Sequence, residues 1–299
     1  MIIDAHQHIW DLRRSPYRWC TPDMPLFHKS FSFEDSLPVL TRNAVDATVL
    51  VQADDHDGDT DLMLEVASAY PQVVAVVAYV PLDQPVRAAS RLSELRLSPW
   101  VVGIRNLIHD RPDPDFLARP EVDDSLTVLE EADMTFDIVT RLPRHLEHVI
   151  RISERHPTLR IVLDHLGRPP LGSGSGAMDA WRSMLTEIAQ NPLVHAKVSG
   201  LYPESQPGSW QHGETRQVVA DALEIFGPSR LMYGGDWPIC VAAGGYDDVR
   251  AAIVAALDDL SPKDAERIWS ETARRFYRIA PGHLEAALDA AGRSSDSIG

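Results

Sequence analysis

Residues 72–81 read QVVAVVAYVP, with five valines, two alanines and a tyrosine running unbroken between Gln72 and Pro81. A strand with one face in water alternates apolar and polar side chains. A continuous apolar run is instead the pattern of a parallel strand covered on both faces. Seven more short runs of this kind flank it: IIDAHQH (2–8), DATVLVQAD (46–54), WVVGIRNL (100–107), TFDIVT (135–140), RIVLDHL (160–166), LVHAKVSG (193–200) and RLMYGGDWP (230–238). Between them lie helical patterns such as SFEDSLPVLTRNA (32–44), DTDLMLEVASAY (59–70), PVRAASRLSEL (85–95), LPRHLEHVIRISERH (142–156) and TRQVVADALEIFG (215–227). Strand and helix alternate about eight times with no break in composition, which predicts the α/β class and a (β/α)8 TIM barrel. A doubly wound open sheet is the rival. It usually needs fewer repeats, and no GxGxxG follows the first strand.

The segment SPKDAERIWSETARRFYRI (261–279) has a serine cap, a proline in its first turn and early acidic residues, and predicts an additional C-terminal helix. Its Ile268, Trp269, Phe276 and Tyr277 form the face expected against the body. The Gly/Ser cluster of LGSGSGAMDAW (171–181) reads as a loop after the sixth strand rather than a domain linker. One domain over residues 1–299 is expected, with a flexible tail from about residue 285.

The chain has 299 residues, 44% of them hydrophobic, and a formal net charge of −16 from 44 acidic and 28 basic side chains. Nucleic acid and anionic membrane surfaces call for basic patches, so neither is expected as a partner; a small ligand is. Two cysteines, Cys20 and Cys240, make no disulfide framework, and there is no CxxC metal motif. With no basic leader followed by a long apolar stretch, a cytoplasmic, reducing location is expected. Scattered apolar residues on the outer helices leave a homo-oligomer open.

In a barrel the site forms at the carboxyl ends of the strands. There the first run carries His6 and His8, one residue apart and so on one face of a strand, and the second carries Gln52. The fourth ends at Arg105, the sixth at His165, the seventh at Lys197 and the eighth at Asp236. Each follows an apolar run, where burial without a partner is costly. One such residue has an ordinary structural explanation; six strand ends carrying them around one rim point to a site.

DAHQHIW (4–10), GIR (103–105), VLDHLGRP (162–169), KVSGL (197–201) and FGPSRLMYGGDWP (226–238), in that order, resemble the amidohydrolase superfamily, and within it the amidohydrolase-2 branch of L-fuconolactonase-like sugar-acid lactonases. The resemblance implies a barrel that hydrolyses a lactone or related ester. Two positions depart from it: Asn106 stands where relatives often have histidine, with His109 three residues on, and Gly235 stands where relatives usually have serine.

Lactone opening needs a nucleophilic water, a polarised carbonyl and a stabilised oxyanion. Asp236, between Gly235 and Trp237, is the expected general base; the plainer reading is a cap on the turn before Pro238. His6, His8, His165 and Asp236 also make a ligand set for one divalent ion, zinc first, whose bound water would have a pKa of about 7. The superfamily often holds two metals with a carboxylated lysine, but no lysine ends the fourth or fifth run here. Some members of the branch resemble metal-free lactonases, whose histidines bind the substrate carbonyl, so the resemblance leaves the need for metal open. Arg105 offers a planar fork for an oxyanion or carboxylate. Lys197 would do similar electrostatic work or pair with Asp164 or Asp236. Trp10, Tyr17, Trp19, His28, His109 and Tyr202, with His6, His8 and Gln52, are candidates for substrate contact. The alternatives are a non-oxidative decarboxylase of the same branch and a non-catalytic binding scaffold.

Overall fold

The structure is a computed structural model that describes residues 1–202 and 212–292. Within them eight parallel strands follow chain order around a barrel: β1 (Ile3–Gln7), β2 (Ala47–Val51), β3 (Val73–Ala78), β4 (Val101–Asn106), β5 (Thr135–Ile138), β6 (Arg160–Leu163), β7 (Val194–Val198) and β8 (Leu231–Tyr233). The QVVAVVAYVP run supplies β3, buried along its whole length. Each of the other seven runs likewise contains one strand. The helices that follow them are α1 (Phe33–Arg42), α2 (Asp57–Ala69), α3 (Pro85–Leu95), α4 (Pro120–Glu131), α5 (Pro143–Arg155), α6 (Ser175–Ile188), α7 (His212–Phe226) and α8 (Tyr246–Ala256).

Local chemistry sets their starts. Ser32 caps α1 in a reciprocal box with Asp35, and α3, α4 and α5 each open on a proline, whose missing N–H costs nothing in a first turn. On α5, Leu146, Val149 and Ile152 recur at helical spacing and are buried against the strands. The Gly/Ser cluster resolves into a short turn and then the first residues of α6, which begins at Ser175.

The predicted C-terminal helix is two short helices, α9 (Pro262–Glu266) and α10 (Thr272–Phe276), joined by a wider π turn over Arg267–Glu271. Ile268, Phe276 and Tyr277 are buried and Trp269 is half-buried. A further helix, α11 (Pro281–Ala290), was not expected from the sequence. Leu284, Ala287 and Leu288 are buried in it, so residues 285–290 are helix where a flexible tail was expected from about residue 285. α11 lies across the amino end of the barrel, where the His283 ring stacks on Trp100 and its Nδ1 lies 3.1 Å from the Val74 carbonyl. Phe276, Tyr277, Leu284 and Ala287 form one apolar cluster with Ile3, Ala5, Val49 and other strand residues.

The barrel closes where β1 meets the residues after β8. Asp236 N–H donates to the His6 carbonyl at 2.8 Å, and His8 N–H to the Trp237 carbonyl at 2.7 Å. Gly234 permits this approach, since a Cβ there would stand 2.7 Å from the His6 Cβ. Closing the cylinder therefore sets the paired histidines beside Asp236. Both cysteines are free and buried. Among the described residues no helix is long and apolar enough to cross a membrane.

Candidate active site

At the carboxyl end a cavity of about 880 Å3 opens between the βα loops. His8, Arg105, His165, Tyr202 and Asp236 reach its floor and sides, and Trp10, Trp19, Met24 and Phe27 form an aromatic and apolar wall. That wall comes from the long segment after β1. Trp10 is fastened there by its indole N–H to the Lys29 carbonyl (2.7 Å), and Trp19 by its own to the Ala53 carbonyl (2.7 Å).

The His6 and His8 rings meet edge to face with centroids 4.7 Å apart, and His165 stands equally close to His6. The Nε2 atoms of His6 and His8 are 3.0 Å apart, and Asp236 Oδ1 lies 3.7 Å and 3.5 Å from them. His6, His165 and Asp236 each place one donor atom within 4.8 Å of the others. Around a tetrahedral ion with bonds of about 2.0–2.2 Å, neighbouring ligand atoms stand roughly 3.3–3.6 Å apart. The Asp236 spacings to the two imidazoles lie close to that range and the 3.0 Å between the imidazoles is shorter; imidazole nitrogens with one carboxylate are a zinc-like donor set, so His6, His165 and Asp236 fit one divalent cation.

Burial would raise the Asp236 carboxyl, but His165, His8 and His6 hold it well below the ordinary carboxylate range, so it stays ionised. Its Oδ2 accepts from the Tyr202 hydroxyl at 2.6 Å, and burial pushes that phenol well up. Burial lowers all three histidines: His165 to about 4, His8 clearly, and His6 far below its ordinary value. The three imidazoles are neutral at working pH. His165 is oriented by Ser199 Oγ, 2.9 Å from its Nδ1.

Arg105 donates from Nη1 to Asp164 Oδ2 (2.7 Å) and from Nη2 to the Gln52 carbonyl (2.9 Å), with Nη1 3.3 Å from His6 Nε2. Below it Lys197, fully buried, bridges Asp137 Oδ2 (2.6 Å) and Asp164 Oδ1 (3.0 Å). The pairing is with Asp164 and Asp137, not Asp236. Burial opposes ionisation of Asp164, but Lys197, His6 and Arg105 hold its carboxyl well down.

The expected residues thus divide. His6, His8, His165, Arg105 and Asp236 converge, and Trp10, Trp19, His109 and Tyr202 line the same cavity. Gln52 does not face it; its amide nitrogen binds the Arg105 carbonyl (3.0 Å) and Asp55 (3.2 Å), tying β2 to β4. His28 is exposed and outside the lining, because its loop buries Phe27 instead. Tyr17 turns away to donate to Asp59 at 2.8 Å. Lys197 lies beneath the cavity rather than on its surface. Asn106 is buried and donates to the Val80 carbonyl (3.1 Å), while His109 reaches the cavity from the loop beyond. Gly235 has a steric reason: a Cβ would stand 2.1 Å from Tyr246 Cε2 and 2.6 Å from Asp4 Oδ2.

Sequence reading missed Ser199 and Asp137, and gave Asp164 no part beyond pairing with Lys197. The signal for the acids was present: a carboxylate inside TFDIVT, or at the end of RIVLDHL, must find a cation once buried.

A family model described as amidohydrolase matches residues 3–279. Two relatives described as L-fucono-1,5-lactonase are similar over most of the chain. One, from Burkholderia ambifaria, is 34% identical and covers 93% of this chain and 95% of its own; the other, from Burkholderia multivorans, is 32% identical and covers 96% and 98%. A crystal structure of an amidohydrolase from Burkholderia multivorans with bound zinc superposes with a TM-score of 0.86 at 30% identity, covering 94% of this chain and all of that one.

Proposed function

This chain belongs to the amidohydrolase family, and from that premise we propose that it hydrolyses sugar-acid lactones of the L-fucono-1,5-lactone kind, in carbohydrate catabolism. The observation that carries the reading is the buried, ionised Asp236 carboxylate facing His6, His8, His165 and Arg105 at the floor of a cavity with an aromatic wall.

The substrate ring lies against Trp10 and Trp19, whose faces suit the C–H side of a sugar, while His109 and Tyr202 take hydroxyls. Its carbonyl oxygen points at Arg105 and the imidazoles. Asp236 holds the attacking water and accepts its proton as the tetrahedral intermediate forms. A carboxylate held this low is a weak base, so the driving force comes from stabilising the oxyanion, and Arg105 supplies the fixed positive charge. When the ring C–O bond breaks, the proton on Asp236 passes to the departing alkoxide, leaving the open-chain acid. A divalent cation, zinc first, would be held by His6, His165 and Asp236, with His8 beside them as a fourth donor, and when bound supplies Lewis acidity and a water pKa of about 7.

The test is an indicator assay on a panel of L- and D-sugar-acid lactones, with and without added zinc or manganese. Acid release from one stereochemical series supports the reading. Inertness toward every lactone in a folded, metal-replete protein would refute it.

A further inference from the structure

At its carboxyl end β6 turns two consecutive side chains to the same side, which the pleat of a strand forbids. Val162 belongs to the apolar cluster of Ile3, Ala5 and Val49, whereas Ile161 and Leu163 pack with helix residues such as Leu146 and Leu185. Alternation therefore points Asp164 inward, and would point His165 outward, away from the cavity. Both face the mouth. Asp164 holds Arg105 Nη1 (2.7 Å) and Lys197 Nζ (3.0 Å), and His165 lines the cavity with its ring centroid 4.7 Å from that of His6. The backbone supplies the reversal. His165 (φ 57°, ψ 39°), Leu166 (φ 52°, ψ 31°), Gly167 (φ 69°) and Arg168 (φ 56°, ψ 76°) are all left-handed, and Arg168 N–H closes the turn on the His165 carbonyl at 2.8 Å. Side-chain-bearing residues enter this region singly as a rule, as Ala44, Asp133, Asp236 and Arg278 do here. An unbroken left-handed run persists only where its surroundings impose it.

On the outer side Leu166 is fully buried, and its carbonyl, which the turn leaves unused, accepts from the Trp181 indole N–H at 3.0 Å. Gly167 lies so close beneath α5 that a Cβ would stand 2.9 Å from Leu146 Cδ2. On the inner side the His165 ring rests against Gly200, where a Cβ would stand 2.4 Å from Nδ1 and 2.7 Å from Cγ. Ser199 Oγ, 2.9 Å from Nδ1, orients that ring but does not touch the turn's backbone. Trp181, on α6 and outside the cavity, does. Without its N–H the buried Leu166 carbonyl loses its partner, and the peptide unit between Leu166 and Gly167 gains by rotating toward another. That rotation takes Leu166 out of its left-handed setting and carries His165 with it. We propose that Trp181 is a positioning residue for the reaction: by holding the Leu166 carbonyl it keeps the left-handed turn wound and His165 turned into the cavity beside Asp164. The inference rests on the lactonase reading only for the part His165 plays in turnover; where the ring stands can be read without a lactone.

Trp181→Phe removes the N–H together with part of the ring. Site-specific replacement of Trp181 by 3-benzothienylalanine keeps the fused ring and exchanges only the N–H for sulfur, so it decides the matter should Trp181→Phe not fold. In metal-free wild type the neighbouring His6 and His165 rings should give a nuclear Overhauser cross-peak. Both variants should weaken it about twofold or more and lower kcat about tenfold on a responsive lactone, with KM within about twofold of wild type. Ile188→Ala, which cuts a buried side chain about two turns along the same helix, should lower the melting temperature and leave cross-peak and kcat unchanged. A Trp181 that only packs would behave as Ile188 does. Wild-type kcat, or a wild-type cross-peak, in the folded benzothienylalanine protein overturns the proposal, and so does a wild type that lacks the cross-peak. If the wild type opens no lactone, the reading of function fails and the cross-peak alone decides this one.

Discussion

At the amino end of the barrel, Phe276, Leu284 and Ala287 fill the opening with apolar surface contributed by residues 273–287. At the carboxyl end, His6, Arg105, Asp164, Lys197 and Asp236 are as deeply buried, yet nearly every contact among them is polar. Burial at the first end is itself the stabilising term, about 2–3 kcal/mol for each large apolar side chain removed from water. Burial at the second end is a cost, offset only because each charge has a partner in place. The two ends therefore divide the labour of the fold. One holds the cylinder together, and the other keeps ionised groups out of water until a substrate arrives.

Asp236→Asn probes the polar end and should show the largest effect. The amide keeps the shape and can still meet the Tyr202 hydroxyl, but cannot take a proton. We expect kcat/KM on a responsive lactone to fall by about 10³-fold, within the usual span for a removed general base, with the melting temperature unchanged or higher. Full activity in this variant would end the assignment of Asp236 as the base.

Leu284→Ala probes the other end. A buried leucine cut to alanine costs about 2–4 kcal/mol, so urea denaturation should register a clear loss while kcat/KM stays within twofold. An activity loss matching that of Asp236→Asn in the folded protein would mean that the ends are not separable, and would point to the Tyr277–Asp137–Lys197 contacts as the route between them.

Gly235→Ser sharpens the comparison at the seam. The serine Cβ would overlap the Tyr246 ring, so we expect about 1–3 kcal/mol of lost stability, and a smaller loss when the same change is made with Tyr246→Ala. Equal losses in both backgrounds would show that the clash is relieved elsewhere.

How far each end was legible follows from the same physics. The barrel could be read because eight strands buried on both faces leave continuous Val/Ile runs, and the polar mouth because His6, His8, Arg105, His165 and Asp236 interrupt the ends of those runs. The plug was half legible: Ile268 and Phe276 lie on a capped helical pattern, whereas α11 is a ten-residue segment rich in alanine, whose short side chains give little periodic contrast. Loops were read least well. His28 and Trp19 look equally suited to a sugar, and only the fold turns Phe27 inward and leaves His28 in water. For Lys197 the sequence leaves electrostatic work and pairing equally open, because sequence order cannot say which of several acids shares its level in the barrel.

The smallest expected effect is an absence of change, and it reads the polar end most finely. An exposed histidine near pKa 6.5 would be roughly nine-tenths protonated at pH 5.5, and an active site that needs it neutral would lose most of its rate there. His165, lowered by burial to about 4, would be only roughly 3% protonated at that pH, and His6 and His8 shift in the same direction. A lowered pKa keeps the neutral form as pH falls, until pH reaches the folded value. In zinc-free protein kcat/KM should therefore hold its plateau through pH 5.5 and decline only toward pH 4. Asp4 is the competing control. Burial raises its carboxyl to about 6, against donors from His6 N–H, Gly235 N–H and Tyr246. A decline centred near pH 6 that vanishes in Asp4→Asn would move the acid limb from the imidazoles to the carboxylate behind the seam.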